Sequence, residues 1–168
     1  MSKVRLRLAW VAAGIGVLLV LYALFSRKSD EERIVDQLDR LQALLSFSAP
    51  PNVLQRAATL KGGFQELLTQ DARVRIPERG LQAQGRPELA ALATRATASL
   101  QSFDVVFDVD SIHVDGNAAH VEATVSVEGT SAGEPRSDQR RAKLEFVESD
   151  GDWLLATALV EPLDDNEP

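Results

Sequence analysis

The chain has 168 residues, with 18 Lys+Arg, 25 Asp+Glu, 2 His and no Cys, for a formal net charge of −7. That length suits one folded domain with an extension. The absence of cysteine excludes disulfides, thiolate catalysis and thiolate zinc sites, and a hydrophobic fraction of 45% excludes wholesale disorder.

The charge is unevenly placed. Lys3, Arg5, Arg7, Arg27 and Lys28 give residues 1–28 a charge of +5 with no acid among them. The other 13 bases share residues 29–168 with all 25 acids, a net −12. An acidic body of this kind repels a phosphate backbone, so nucleic acid is excluded as a partner.

Behind the basic tail 1–7, Leu8 to Phe25 is an unbroken run of uncharged residues, LAWVAAGIGVLLVLYALF. As a helix it would be about 27 Å long, close to the hydrocarbon thickness of a bilayer. Trp10 and Tyr22 fall near its ends, where amphipathic rings favour the membrane interface. The run exceeds the apolar region of a signal peptide. It leaves through Tyr22-Ala23-Leu24-Phe25-Ser26 without a small-x-small cleavage site. The expectation is an uncleaved single-pass anchor in the inner (cell) membrane. The slight excess of positive charge before it places the N-terminus inside and the soluble part on the periplasmic or extracytoplasmic side.

Residues 26–29 form a joint, and Ser29-Asp30-Glu31-Glu32 then has the pattern of a capping box. Ile34, Val35, Leu38, Leu41, Leu44 and Leu45 recur at helical spacing, giving a helix over about 30–46. Ala49-Pro50-Pro51 ends it. Val53 to Leu60 reads as a short second helix, interrupted at Lys61-Gly62-Gly63, with another turn or two at Phe64, Leu67 and Leu68. Ala72 to Ile76 alternates as a strand, Pro77-Glu78-Arg79-Gly80 turns, and Leu81-Gln82-Ala83 returns. Gly85-Arg86-Pro87-Glu88-Leu89 opens a helix whose buried face is Leu89, Leu92, Ala93, Ala96 and Leu100.

The period then becomes two. Phe103, Val105, Phe107 and Val109 alternate with polar positions, and Ile112 and Val114 resume on the other parity, so a bulge is expected near Ser111. Asp115-Gly116-Asn117 is a hairpin turn. Val121, Ala123, Val125 and Val127 form the next alternation, Gly129 to Ser137 a polar loop, and Arg140, Ala142, Leu144 and Phe146 another strand. After Ser149-Asp150-Gly151-Asp152, Trp153 to Val160 is apolar on both faces and reads as an interior strand, ended by Glu161-Pro162. An acidic tail occupies 163–168.

This order is an α+β layer solution. Four phrases, Asp71-Ala72-Arg73-Val74, Gly85-Arg86-Pro87-Glu88-Leu89, Val114-Asp115-Gly116-Asn117-Ala118 and Asp150-Gly151-Asp152-Trp153-Leu154-Leu155, resemble the NTF2-like (cystatin-like, SnoaL-like) superfamily over residues 30–162. The resemblance implies a cone: a curved antiparallel sheet packed on about three helices, here preceded by one transmembrane helix. The motifs are turns, a helix start and a core tryptophan, so they carry fold rather than chemistry.

The family's ketosteroid isomerases use a tyrosine as oxyanion donor, but the one tyrosine here is Tyr22, within the apolar run. Other branches use His with Asp. The candidates for binding are His113 and His120, which flank one turn, and an Asp104–Asp108–Arg75 set of the epoxide-hydrolase kind. Alternation puts both histidines on a solvent face, and spacing does not bring the aspartates to Arg75. Two histidines without a third ligand make no metal centre. Arg140-Arg141 and Lys143 form a small basic cluster whose expected partners are Glu122 or Glu128 across the strands.

No catalytic residue, metal or cofactor is assigned on this reading, and an enzyme is the less favoured outcome. The expected function is a membrane-anchored, non-catalytic module for protein interaction or for an apolar ligand at the cell envelope. The resemblance implies that exposed sheet faces pair, giving a homodimer or another protein partner. The alternative is a SnoaL-like enzyme (isomerase, dehydratase or hydrolase) acting on a small hydrophobic molecule.

Overall fold

The structure is a computed structural model, and it describes residues 28–163. The basic tail, the apolar run 8–25, most of the joint and residues 164–168 lie outside the described residues.

The elements in chain order are α1 (Asp30–Leu45), α2 (Val53–Leu67), β1 (Leu68–Ile76), a 3₁₀ turn (Pro77–Arg79), β2 (Leu81–Gln84), α3 (Arg86–Thr97), β3 (Leu100–Asp115), β4 (Ala118–Ser131), β5 (Glu134–Ser149) and β6 (Asp152–Pro162). One curved six-stranded sheet has the order β2-β1-β6-β5-β4-β3, with three helices against one face.

The expected α+β cone is present, but its sheet is mixed. β6 pairs antiparallel with β5 on one side and parallel with β1 on the other. Three successive hairpins from β3 fix the direction of β6, and the α3 crossover sets the direction of β3. β6 therefore closes against β1 in the sense that the crossover leaves, not in the sense that hairpins would give.

Helix α1 starts as the sequence expects. The Ser29 hydroxyl accepts from the Glu32 amide at 3.2 Å, and the Glu32 carboxylate accepts from the Ser29 amide at 3.1 Å. The same turn is bolted to the far end of the chain. The Trp153 indole donates to Asp30 at 3.2 Å, and Arg33 bonds Asp30, Glu148 and the Gly151 carbonyl. Helix α2 is not interrupted at Lys61-Gly62-Gly63; it runs unbroken to Leu67. A methyl group at Gly63 would overlap both δ-carbons of Leu44 and lie 3.0 Å from its Cγ. The glycine therefore lets α1 and α2 approach, and that packing outweighs its poor helix propensity.

β1 begins at Leu68, four residues before the expected start, directly from α2. Gly85 precedes α3 at φ +84°, a conformation that favours glycine. The conspicuous residues of that phrase have structural tasks: Arg86 donates to the Leu68 carbonyl at 2.8 Å, and Glu88 accepts from the Gln84 amide at 3.1 Å. The buried face of α3 is Leu89, Ala90 and Thr97, with Leu92 and Ala93 packed beside it; Ala96 is exposed and Leu100 opens β3.

The register shift expected near Ser111 lies between Val109 and Ser111. The expected polar loop Gly129–Ser137 is instead strand on both sides of a two-residue turn, Ala132-Gly133, with φ values of 52° and 84°. Two left-handed residues match the twist of a tight hairpin, and β4–β5 pairing continues out to Ser131↔Glu134. β3 is an edge strand, and α1 screens the start of its free edge. The amides of Phe103, Val105 and Phe107 donate to the Phe47 carbonyl, the Ser46 hydroxyl and the Gln42 side chain at 2.9, 3.1 and 3.4 Å.

Candidate functional site

The interior of the cone is the first place to look for chemistry, because a reacting group needs a concave, partly dry setting. That interior is occupied by apolar side chains. Trp153, Phe146, Ile34, Leu38, Leu60 and Val121 are its largest fully buried members. They come from α1, α2, β4, β5 and β6, so they fill the space between helices and sheet rather than line it.

Three polar side chains are buried with them: Gln37, Arg56 and Thr97. Thr97 donates to the Ala93 carbonyl one turn back at 2.8 Å. Arg56 is the unusual one, because among the described residues no acid forms an ion pair with it. Its guanidinium donates to the Leu44 and Leu45 carbonyls at 2.8 and 2.6 Å, at the C-terminal end of α1. It also lies 5.0 Å from the centroid of the Phe47 ring. Burial lowers the Arg56 pKa from its ordinary value. The partial negative charge at the end of α1 and the aromatic face take the place of a carboxylate. Sequence reading passed over Arg56, since a lone arginine at helical spacing gives no sign that it turns inward.

Two of the open concavities among the described residues lie outside the core. The larger, of about 740 Å³, runs along the start of β3 and is lined by Ser46, Phe47, Phe103, Asp104, Glu128 and Arg136 among others. Asp104 and Glu128 are directly paired across β3 and β4, which sets two like charges side by side in it. Phe47 and Phe103 close one side, with ring centroids 6.1 Å apart. The smaller, of about 470 Å³, lies beside the start of α1 between Lys28, Asp36, Arg40 and Trp153.

The five residues singled out from the sequence are all exposed on the sheet face away from the helices. His113 and His120 are direct cross-strand partners, as the tight turn requires, and His120 Nδ1 lies 4.0 Å from a Glu145 carboxylate oxygen. Asp104 and Asp108 sit on β3 and Arg75 on β1. β6, β5 and β4 separate those two strands, a span of about 19 Å at ordinary strand spacing. The Asp104–Asp108–Arg75 set therefore does not converge.

The basic cluster divides between the two faces. Arg140 turns inward and pairs with Glu78 and, at 3.0 Å, with Asp138; hydrogen bonds to Glu78 and then Asp138 raise its pKa. Lys143 turns outward and pairs with Glu161 at 3.3 Å. The expected partners Glu122 and Glu128 are not the ones used. Arg140 and Lys143 find their acids on β6, on the 3₁₀ turn and on β5 itself. Among the described residues no group of three or more His, Asp or Glu gathers as a metal site.

No protein-family profile matches the chain, and no curated protein matches it. Solved structures do. An NTF2-like superfamily protein from Salmonella enterica serovar Typhimurium aligns over 79% of this chain and 91% of its own, with 14% identity and a TM-score of 0.63. An NTF2-like protein with a cystatin-like fold from Novosphingobium aromaticivorans aligns over 93% and 90%, with 20% identity and a TM-score of 0.59. A Mycobacterium tuberculosis protein of unknown function aligns over 76% and 68%, with 18% identity and a TM-score of 0.60. At these identities the likeness is one of fold: the domain has the NTF2-like, cystatin-like fold.

Proposed function

We propose that this protein is a non-catalytic interaction module, tethered to the cell membrane by Leu8–Phe25 and presenting its NTF2-like domain on the extracytoplasmic side. The observation that carries this reading is the filled cone: where an enzyme of this fold would place reacting groups, Trp153, Phe146 and their neighbours stand packed. The titratable candidates are turned away from that space, onto the open sheet face. The tether rests on the length and flanking charge of the apolar run. Among the described residues no helix is long and apolar enough to cross a membrane, so an anchor would have to come from the segment before Lys28. The short joint then leads straight into the capped first turn of α1. That turn is fixed to the β5–β6 hairpin, so a tethered domain would be held close to the bilayer in one orientation.

Carbonate washing of native membranes, followed by cross-linking and identification of the captured proteins, tests this reading. The full-length chain should stay with the membrane pellet and yield a specific protein partner. Recovery in the carbonate supernatant would remove the tether. Turnover of a small hydrophobic substrate that is lost on neutralising one acid would favour the enzymatic alternative.

A further inference from the structure

We propose that the second half of the free edge of β3, from Val109 to Asp115, takes an extended segment of a partner protein in which basic and apolar residues alternate. The proposal rests on the reading of the chain as an interaction module, and it gives that module's partner a chemistry.

β3 is an edge strand of 16 residues, and its two halves differ. In the first half the outward backbone groups have partners. Phe103 exchanges both of its hydrogen bonds with Phe47, and the Val105 and Phe107 amides reach Ser46 and Gln42. The register shift between Val109 and Ser111 then changes the parity of the strand. Asp115 and Ala118 close a two-residue turn, so they and the His113–His120 pair exchange their hydrogen bonds with each other. Ile112 and Val114 therefore turn their N–H and C=O groups to the open side. Among the described residues no helix or loop reaches them with a hydrogen bond. The path of α1 is the reason. Its last turn meets β3 at Phe103–Phe107, but its first turn is held to the β5–β6 hairpin by Trp153 and Arg33. Helix and edge thus diverge toward the β3–β4 turn.

A strand laid along this edge would continue two rows of side chains. On the helix side stand Val109, Ile112 and Val114, half-buried at the rim of the core. Val35 lies two turns before Gln42 on the same face of α1 and is 37% exposed. On the other side Asp108, Asp110 and Asp115 are exposed. The first row suits apolar side chains and the second suits cations. The same aspartates turn away another copy of the chain, because a second β3 would bring aspartate beside aspartate. The chain's own Lys3-Val4-Arg5-Leu6-Arg7-Leu8 alternates in the required way, but in the tethered reading the bilayer stands between it and the domain. A partner segment with that alternation is the occupant that fits.

The probe is a fluorescein-labelled peptide of alternating lysine and valine, added to the full chain in non-ionic detergent at low salt and followed by anisotropy. It should bind saturably. A peptide of the same composition, with its lysines and valines in separate blocks, should bind at least about tenfold more weakly. Val114→Pro removes an outward N–H at an edge position, where proline is tolerated. Asp108→Lys with Asp110→Lys reverses charge on the exposed row without touching the core. Each change should weaken the alternating peptide by at least about tenfold. Asp71→Lys with Glu134→Lys, an equal change of charge at exposed positions elsewhere, should alter binding by less than about twofold. Thermal melts establish that each variant folds, and the aspartate pair carries the test if Val114→Pro does not. Equal binding of the two peptides, or binding undiminished in the folded edge variants, would overturn the proposal. So would binding that emerges only after Lys3→Glu, Arg5→Glu and Arg7→Glu, since the chain's own tail would then be the occupant. Carbonate washing reads the tether separately. A chain in the supernatant that still binds the alternating peptide loses the tether and keeps this site; a chain in the pellet that binds neither peptide does the reverse.

Discussion

The two faces of the one sheet obey different rules. On the helix side, Ala119, Val121 and Ala123 of β4 and Ala142, Leu144 and Phe146 of β5 are almost wholly buried. On the other side, their immediate neighbours His120, Glu122, Lys143 and Glu145 are exposed. Volume governs the first face, because close-packed interiors respond to single methylene changes. Charge and contact with water govern the second. The contrast says where each kind of consequence belongs: large changes in stability on the inside, small ones on the outside.

The sharpest way to break that comparison is to empty the inside. Trp153 is 1% exposed, and its indole nitrogen is satisfied by Asp30. Trp153→Ala should cost about 3–5 kcal/mol in urea denaturation followed by far-ultraviolet circular dichroism. It also releases the first turn of α1, which Asp30 and Arg33 hold against the β5–β6 hairpin. A loss below about 1 kcal/mol would mean that the cone is not filled as described.

Arg56 tests whether a buried cation can serve packing alone. Removing it leaves the last carbonyls of α1 without their donors, so Arg56→Ala should cost about 2–3 kcal/mol, the range of charge-assisted hydrogen bonds. Arg56→Lys should recover little of this, because one ammonium cannot reproduce the fork that spans the Leu44 and Leu45 carbonyls. Denaturation of the two variants side by side gives the answer.

The adjacent glycines of α2 should move stability in opposite directions. Gly62 has open space where a Cβ would go, whereas Gly63 meets Leu44. Gly62→Ala should stabilise by about 0.5–1 kcal/mol through helix propensity. Gly63→Ala should destabilise by about 1–2 kcal/mol, since the gain in propensity is smaller than the cost of moving Leu44. Thermal melts of the two variants, read as opposite shifts in Tm, check the sign.

Much of this architecture was legible before the structure. The capping box at Ser29, the bulge by Ser111, the hairpin turn at Asp115-Gly116-Asn117 and the interior position of β6 all follow from local chemistry that a short window contains. What was not legible is non-local. Gly62-Gly63 reads as a break because its compensation lies on Leu44, across a helix–helix contact. The parallel pairing of β1 with β6 joins segments about eighty residues apart, and no local pattern specifies it. Gly129–Ser137 reads as a loop because polar residues on an exposed hairpin resemble loop composition, although Ala132-Gly133 alone makes the turn. For the candidate site, alternation correctly sent His113, His120, Asp104, Asp108 and Arg75 outward. Only the strand order showed Arg75 and the aspartates separated by β6, β5 and β4.

The smallest effect is expected where the sequence first drew the eye. His113 and His120 are a directly paired, exposed couple, and His120 Nδ1 lies 4.0 Å from a Glu145 oxygen, at the outer limit of an ion pair. Exposed pairs of this kind contribute little, because water screens them and two side chains must be held still to make them. His113→Ala with His120→Ala should therefore change stability by less than about 0.5 kcal/mol. Urea denaturation of the parent and the double variant side by side checks this: a loss above about 1 kcal/mol would mean that the pair is held more firmly than its exposure allows.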